Sequence, residues 1–303
     1  MINLSTLAAP LAIEDLSYEA LFTDFKDRFQ AFWDAERALN ANLPAYNVGA
    51  LETDPVTIVY QAAAYIRLLD RQRVNDAVKA LLPAFAKGAD LDALVARNAV
   101  FRLTVIEATG ADPAVLESDA NLLNRYLLSF DRAAAGTRDR YLFEAHAAVP
   151  VIPVGGAFVA GWREHGRRGD VDIVVCGPDG RDLTEAELSD LRAGVLADSV
   201  VPEASSAAVK PAIRLEYQVE QKIIIRRGPS PAVVVADVEA RIRELTDERT
   251  IIKGTVPRDF IAGAAHGPNV VKAITSSPMV DIEADAYTVP VCTEITITVE
   301  VAS

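Results

Sequence analysis

The sequence predicts an α+β chain of several domains: a long-helix region followed by two small mixed α/β domains. Three observations predict it. Apolar residues recur at three- and four-residue spacing through 16–39 and 54–94. Residues 212–226 and 293–301 alternate apolar and polar with a period of two, the mark of a strand with one buried face. Between these lie helix-length runs and short apolar runs in alternation. The 303 residues accordingly divide into 1–110, 111–208 and 209–303.

The chain carries 43 acidic and 30 basic residues, a formal net charge of −13. That balance argues against nucleic acid or an anionic membrane surface as the main partner, because both require clustered positive charge. Three histidines and two cysteines limit metal chemistry. Cys176 and Cys292 each fall in a strand-like run and read as buried, reduced thiols. No apolar run approaches the roughly 18 residues of a membrane span. Residues 1–10 lack the basic start and apolar core of a secretory signal, so a protein made and used in solution is expected.

Residues 1–16, with Pro10, read as an extended arm, either disordered or draped over a neighbour in an assembly. Residues 16–39 form an amphipathic helix with Ser17 as its cap. Leu21, Phe22, Phe25, Phe29, Phe32 and Trp33 make one stripe on it. Two readings of that stripe stand: an intrachain core against the next helix, or an inter-subunit bundle. A loop over 40–53 leads to Asp54-Pro55, a helix start in which the aspartate accepts from free backbone N–H groups. Val59, Ala62, Ile66, Leu69, Val74 and Val78 then follow at helical spacing up to Gly88. Helical throughout, the stretch would be roughly 50 Å long. Pro83 predicts a kink or break near 79–83. Asp90 is placed to cap a short helix over 91–98. Arg71 and Arg73 project to different sides of the long helix, so one of them is free to face a partner.

In the middle region, 117–129 and 137–147 read as helices, 149–154, 157–160 and 171–176 as strands, and 184–200 as a helix opened by a Thr184/Glu187 capping box. Gly177-Pro-Asp-Gly180 signals a turn. Residues 162–169 (WREHGRRG) are the notable basic cluster. They read as a hairpin tip, either a solvated loop or a contact for an acidic patch on another copy through Arg163, Arg167 and Arg168. Farther on, a strand over 212–226 precedes Gly228-Pro-Ser-Pro231 and a helix over 232–245; a helix over 257–265 and strands over 269–274 and 293–301 complete the chain.

No GxSxG, HExxH, CxxC, GxGxxG or Walker-type string occurs. Asp170 and Asp172 flank a strand, and Asp281, Glu283 and Asp285 alternate near another. Paired carboxylates suit glycosidic acid–base chemistry, so a hydrolase acting on cell-wall glycan is the enzymatic alternative. With 43 acidic residues such spacings are cheap, and the expectation is a protein with no enzymatic activity, no cofactor and no metal.

Residues 68–75 (LLDRQRVN) and 84–94 (AFAKGADLDAL) resemble the N-terminal region of the baseplate J-like family of contractile phage tails and tailocins. Glu117-Ser-Asp119 with the helices after it, the strand around 215–225 with Gly228-Pro-Ser-Pro231, and residues 286–292 resemble later parts of the same family in the same order; Pro83 departs from it. The resemblance implies a structural wedge protein of the virion's tail baseplate, assembled in the bacterial host cytoplasm. It implies two copies joined to one smaller, tail-protein-I-like subunit through N-terminal helices, here Phe22, Phe25, Phe29, Phe32, Trp33, Ile66, Leu69, Arg71 and Arg73. Neighbouring wedges, a sheath-initiating baseplate protein and the central spike or hub would be further partners, with the contraction trigger passed to the sheath by change of shape. A generic scaffold protein outside tails is the remaining alternative.

Overall fold

The computed structural model describes residues 8, 10–47, 51–110 and 112–302. Half of the arm predicted over 1–16 (residues 1–7 and 9) and residues 48–50 of the loop over 40–53 lie outside the described residues. The architecture is α+β, as predicted. The chain forms two compact units, Met1–Leu94 and Val95–Ser303.

The first unit is a helical hairpin. Helix α1, Tyr18–Leu39, is capped by the Ser17 hydroxyl, which accepts from the Ala20 N–H. Helix α2, Pro55–Ala80, opens with Pro55 in its first turn and stops three residues before Pro83, where the predicted break falls. Its 26 residues span about 39 Å rather than 50 Å. One expectation fails at its start. Asp54 sits at the cap position but makes no cap bond; its carboxylate accepts from the Tyr46 hydroxyl instead. Helix α3, Gly88–Val95, begins earlier than predicted, and a 3-10 turn, Ala96–Asn98, continues it.

The second unit opens with a small antiparallel pair, β1 (Thr104–Ile106) and β2 (Val115–Leu116). Helices α4 (Asp119–Leu128) and α5 (Arg138–Ala148) follow, capped by Ser118 and Thr137. The buried Arg125–Glu117 ion pair, at 2.9 Å, ties α4 to the strand pair; Arg125 also donates to the Phe101 carbonyl and Glu117 accepts from the Leu103 N–H. Residues 149–154 are turns, not the predicted strand. Pro150 and Pro153 remove two ladder donors, and Val149 and Ile152 are buried by packing instead.

A three-stranded sheet comes next: β3 (Ala157–Ala160), β4 (Asp170–Val175) and β5 (Ser206–Pro211), with β4 central. β3 pairs with β4 antiparallel and β5 pairs with it parallel. The crossover is α7, Glu185–Val195, whose predicted Thr184/Glu187 capping box is present. A one-turn helix, α6 (Trp162–His165), sits in the β3–β4 connection. Tyr141 and Ala145 of α5, Leu191 and Val195 of α7, and Ile173 and Val175 of β4 form one core.

The last part is built on β6, Ile213–Ile225. Helices α8 (Pro231–Glu248) and α9 (Arg258–Ala265) cover one face of its sheet. The small pair β7 (Thr255–Val256) and β9 (Ile282–Glu283) lies beside it. β8 (Val270–Ser277) pairs antiparallel and β10 (Thr288–Val301) parallel to β6. Both larger sheets thus have a central strand with one neighbour of each sense. They also share a core: Phe158, Val174 and Cys176 pack with Ile252, Val289 and Val291. Gly180 touches that core, because a Cβ there would lie 2.6 Å from the Val291 side chain.

Candidate functional site

The N-terminal hairpin holds the predicted interface residues. Its helices run antiparallel: Phe29 in α1 meets Tyr60 early in α2, whereas Glu14 before α1 meets Asn75 late in α2. Phe29, Trp33, Tyr46 and Tyr60 form an aromatic cluster with ring centroids 4.9 to 6.5 Å apart. The Trp33 Nε1–H donates to the Pro44 carbonyl at 3.0 Å, which folds the loop onto the cluster. Burial, with the neighbouring Tyr46 and Asp54, pushes the Tyr60 phenol up to about 12. At the other end the Asn75 amide accepts from the Glu14 N–H at 3.0 Å and donates to the Glu14 carbonyl at 2.9 Å. Arg71 lies 3.5 Å from the Glu14 carboxylate.

This geometry separates the predicted residues. Phe22, Phe25, Phe29 and Trp33 are half-buried on the inner side of α1, with Phe22 stacked on Tyr18. Phe32 leaves the stripe and is 71% exposed. On α2 the inward face is Thr57, Tyr60, Ala64 and Asn75. The opposite face carries Val59 at 63%, Ile66 at 60% and Leu69 at 50% exposure, with Ala62 and Arg73 in line. Of the two arginines, Arg71 is engaged within the hairpin, while Arg73 has no ion-pair partner among the described residues. The stripe that the spacing of α2 picks out, Val59, Ile66 and Leu69, is the face left bare, while the inward face with Thr57 and Asn75 is the more polar one; only the packing shows this.

The basic turn lies at the edge of the β3–β4–β5 sheet. Its centre is Asp172, a side chain 4% exposed whose Oδ2 accepts from Arg167 (2.5 Å), Lys210 (2.9 Å) and the Tyr287 hydroxyl (2.7 Å). Burial pushes the Asp172 carboxyl up, but the three hydrogen bonds outweigh it and hold its pKa below the ordinary carboxylate value. An anchored carboxylate of lowered pKa does not hold a proton for general-acid work at neutral pH. Asp170 pairs with Arg167 at 3.1 Å, Asp281 accepts from the Arg258 N–H, and Asp285 accepts from the Tyr287 N–H. Four of the five carboxylates that suggested hydrolysis, Asp170, Asp172, Asp281 and Asp285, are engaged in structural bonds. Arg168 lies 5.9 Å from the centroid of the exposed Trp162 ring, and Arg163 is exposed. Lys210 and Tyr287 were not legible as neighbours of Asp172, being 38 and 115 residues away.

Among the described residues no group of three or more His, Cys, Asp or Glu side chains is arranged to hold a metal ion. No helix among them is long and apolar enough to cross a membrane.

Residues 52–109 match the family model described as the baseplate J-like N-terminal domain. That segment runs from the approach to α2 through α3 and β1. Over its length the chain is similar to baseplate protein J of Escherichia phage P2, with 26% identity across 97% of this chain and 96% of that protein. The segment match and the end-to-end similarity agree with the order of motifs in the sequence: residues 52–109 match the baseplate J-like N-terminal domain, and the chain is similar to a baseplate J protein along its length.

Proposed function

We propose that this chain is a structural component of a phage tail baseplate, and more narrowly a wedge subunit. Similarity to a phage baseplate protein along nearly the whole chain supports the broader reading. The narrower reading rests on one observation. The hairpin leaves the Val59–Ile66–Leu69 face of α2 in solvent, and α1 has no fully buried side chain. A surface of that kind is what a partner helix covers. In this reading 1–110 is the wedge core, 111–208 a middle domain and 209–303 a ring-forming domain. Two copies join one smaller, tail-protein-I-like subunit through the α2 face and Phe32. The assembled wedges meet around the spike or hub, in the virion tail, after assembly in the host cytoplasm. The work is a change of interfaces with no chemical step.

Co-expression with the smaller neighbouring tail protein tests this. The expected product is a complex of two copies to one, read by native mass spectrometry. Ile66→Asp with Leu69→Asp should weaken it by at least about thirtyfold, the cost of losing an interface hot spot, with the circular dichroism of the chain unchanged. A chain that stays monomeric beside every neighbouring tail protein, or a double variant that assembles at wild-type yield, would overturn the reading.

A further inference from the structure

The entrances to β4 and β5 lie side by side, since the two strands are parallel with Asp170 opposite Ser206, and the Ser206 N–H donates to the Gly169 carbonyl at 2.7 Å. The chain reaching β4 is the basic turn; the chain reaching β5 is an acidic loop with Asp198 and Glu203, both exposed and lining one open depression of about 330 Å³. Opposite charges therefore sit next to each other at one end of one sheet. Yet they do not neutralise each other. Among the described residues Arg163 and Arg168 have no carboxylate partner, and Asp198 and Glu203 have no cation partner.

The turn is rigid where it needs to be. Arg167 is held by Asp170 and the buried Asp172, Glu164 is paired with Lys253 at 2.9 Å, and the His165 ring lies 3.1 Å from the Ala160 carbonyl. These bonds fix the backbone that carries the two unpaired arginines and the 56% exposed Trp162. Tryptophan and arginine on a fixed frame are the residues that dominate protein interfaces. A basic patch beside an acidic one on a rigid edge is self-complementary under a two-fold axis.

We propose that this end of the β3–β4–β5 sheet is a contact between two copies of the chain, the basic turn of each lying on the acidic loop of the other. The charge balance favours a second copy: the chain has 13 more acidic than basic residues, and Asp198 and Glu203 lie at the same end of the sheet as the basic turn, so a two-fold axis there would set each turn against the other copy's loop. The contact is separate from the α2 face and stands or falls apart from it.

Sedimentation velocity of the full chain tests it. At low ionic strength a reversible dimer is expected, loosening as salt rises. Arg163→Glu with Arg168→Glu should weaken it at least about tenfold, and so should Asp198→Lys with Glu203→Lys. Mixing the two double variants should restore association, because each then presents the charges the other lacks. The Ile66→Asp, Leu69→Asp chain should dimerise as wild type, which keeps this result distinct from that of the wedge experiment. A chain monomeric at every concentration and salt, an association that ignores the charge reversals, or a mixture that stays monomeric would overturn the proposal.

Discussion

In Met1–Leu94 a helix of 22 residues fully buries none of its side chains, whereas in Val95–Ser303 the 11-residue α5 buries five. The difference is one of geometry. Two helices can touch along one stripe each and have no third layer to cover the rest. In the second unit α5 and α7 lie on one face of β4, while the other face packs on the core shared with β10. The second unit therefore carries its own stability. The first is held by an aromatic cluster at one end and the Glu14–Asn75 bonds at the other.

Disruption in the second unit should cost much more than in the first. Arg125→Ala leaves the Glu117 carboxylate buried and unpaired, and should cost about 3–5 kcal/mol in denaturant unfolding. A loss below about 1 kcal/mol would mean that the pair is not sealed from water. A smaller effect is expected at Glu187. The hydrogen bond from Arg181, reinforced by the Thr184 N–H and hydroxyl, lowers its carboxyl from an ordinary 4.5 to about 2. A depressed folded pKa contributes stability that is present above pH 4.5 and lost as pH falls toward 2. Glu187→Gln should therefore flatten the stability–pH curve in that window, with a cost near pH 7 of about 1 kcal/mol as the capping box weakens. The smallest effect belongs to the hairpin. Asn75→Ala removes two bonds to the Glu14 backbone and should cost about 1 kcal/mol or less, since that end is half open to solvent. Hydrogen exchange at the Glu14 amide should rise while the β4 amides stay protected.

Local chemistry was legible in the sequence. Ser17 and Thr184 cap the helices they precede, as read, because a cap is decided within three residues. Pro83 marks the limit of α2, and the alternation over 212–226 became β6. What failed was decided at a distance. β5, with the string SAAVKP, has little strand character and exists because β4 offers it a parallel ladder. Residues 149–154 are the local exception: they look like a strand by composition, but their own two prolines withhold the donors. Asp54 had a free choice between its own helix and the Tyr46 hydroxyl, and the hairpin loop decided it. The apolar face of α2 was legible as apolar; that it is left uncovered was not.

β10 pairs with β6 in parallel, and the partners Gln218 and Glu294 are 76 residues apart in the chain. During synthesis at about 5–20 residues per second, the edge of β6 that β10 will occupy waits roughly 4–15 s for its strand. For that interval Val219, Ile223 and Ile225 have α8 and β8 as neighbours but no closing edge. Non-local pairing of this kind is slow to form and exposed to wrong partners. The sheet is thus finished only once translation has passed Val301, so a ribosome that stalls between α9 and β10 would release a chain with a correct hairpin and an open sheet.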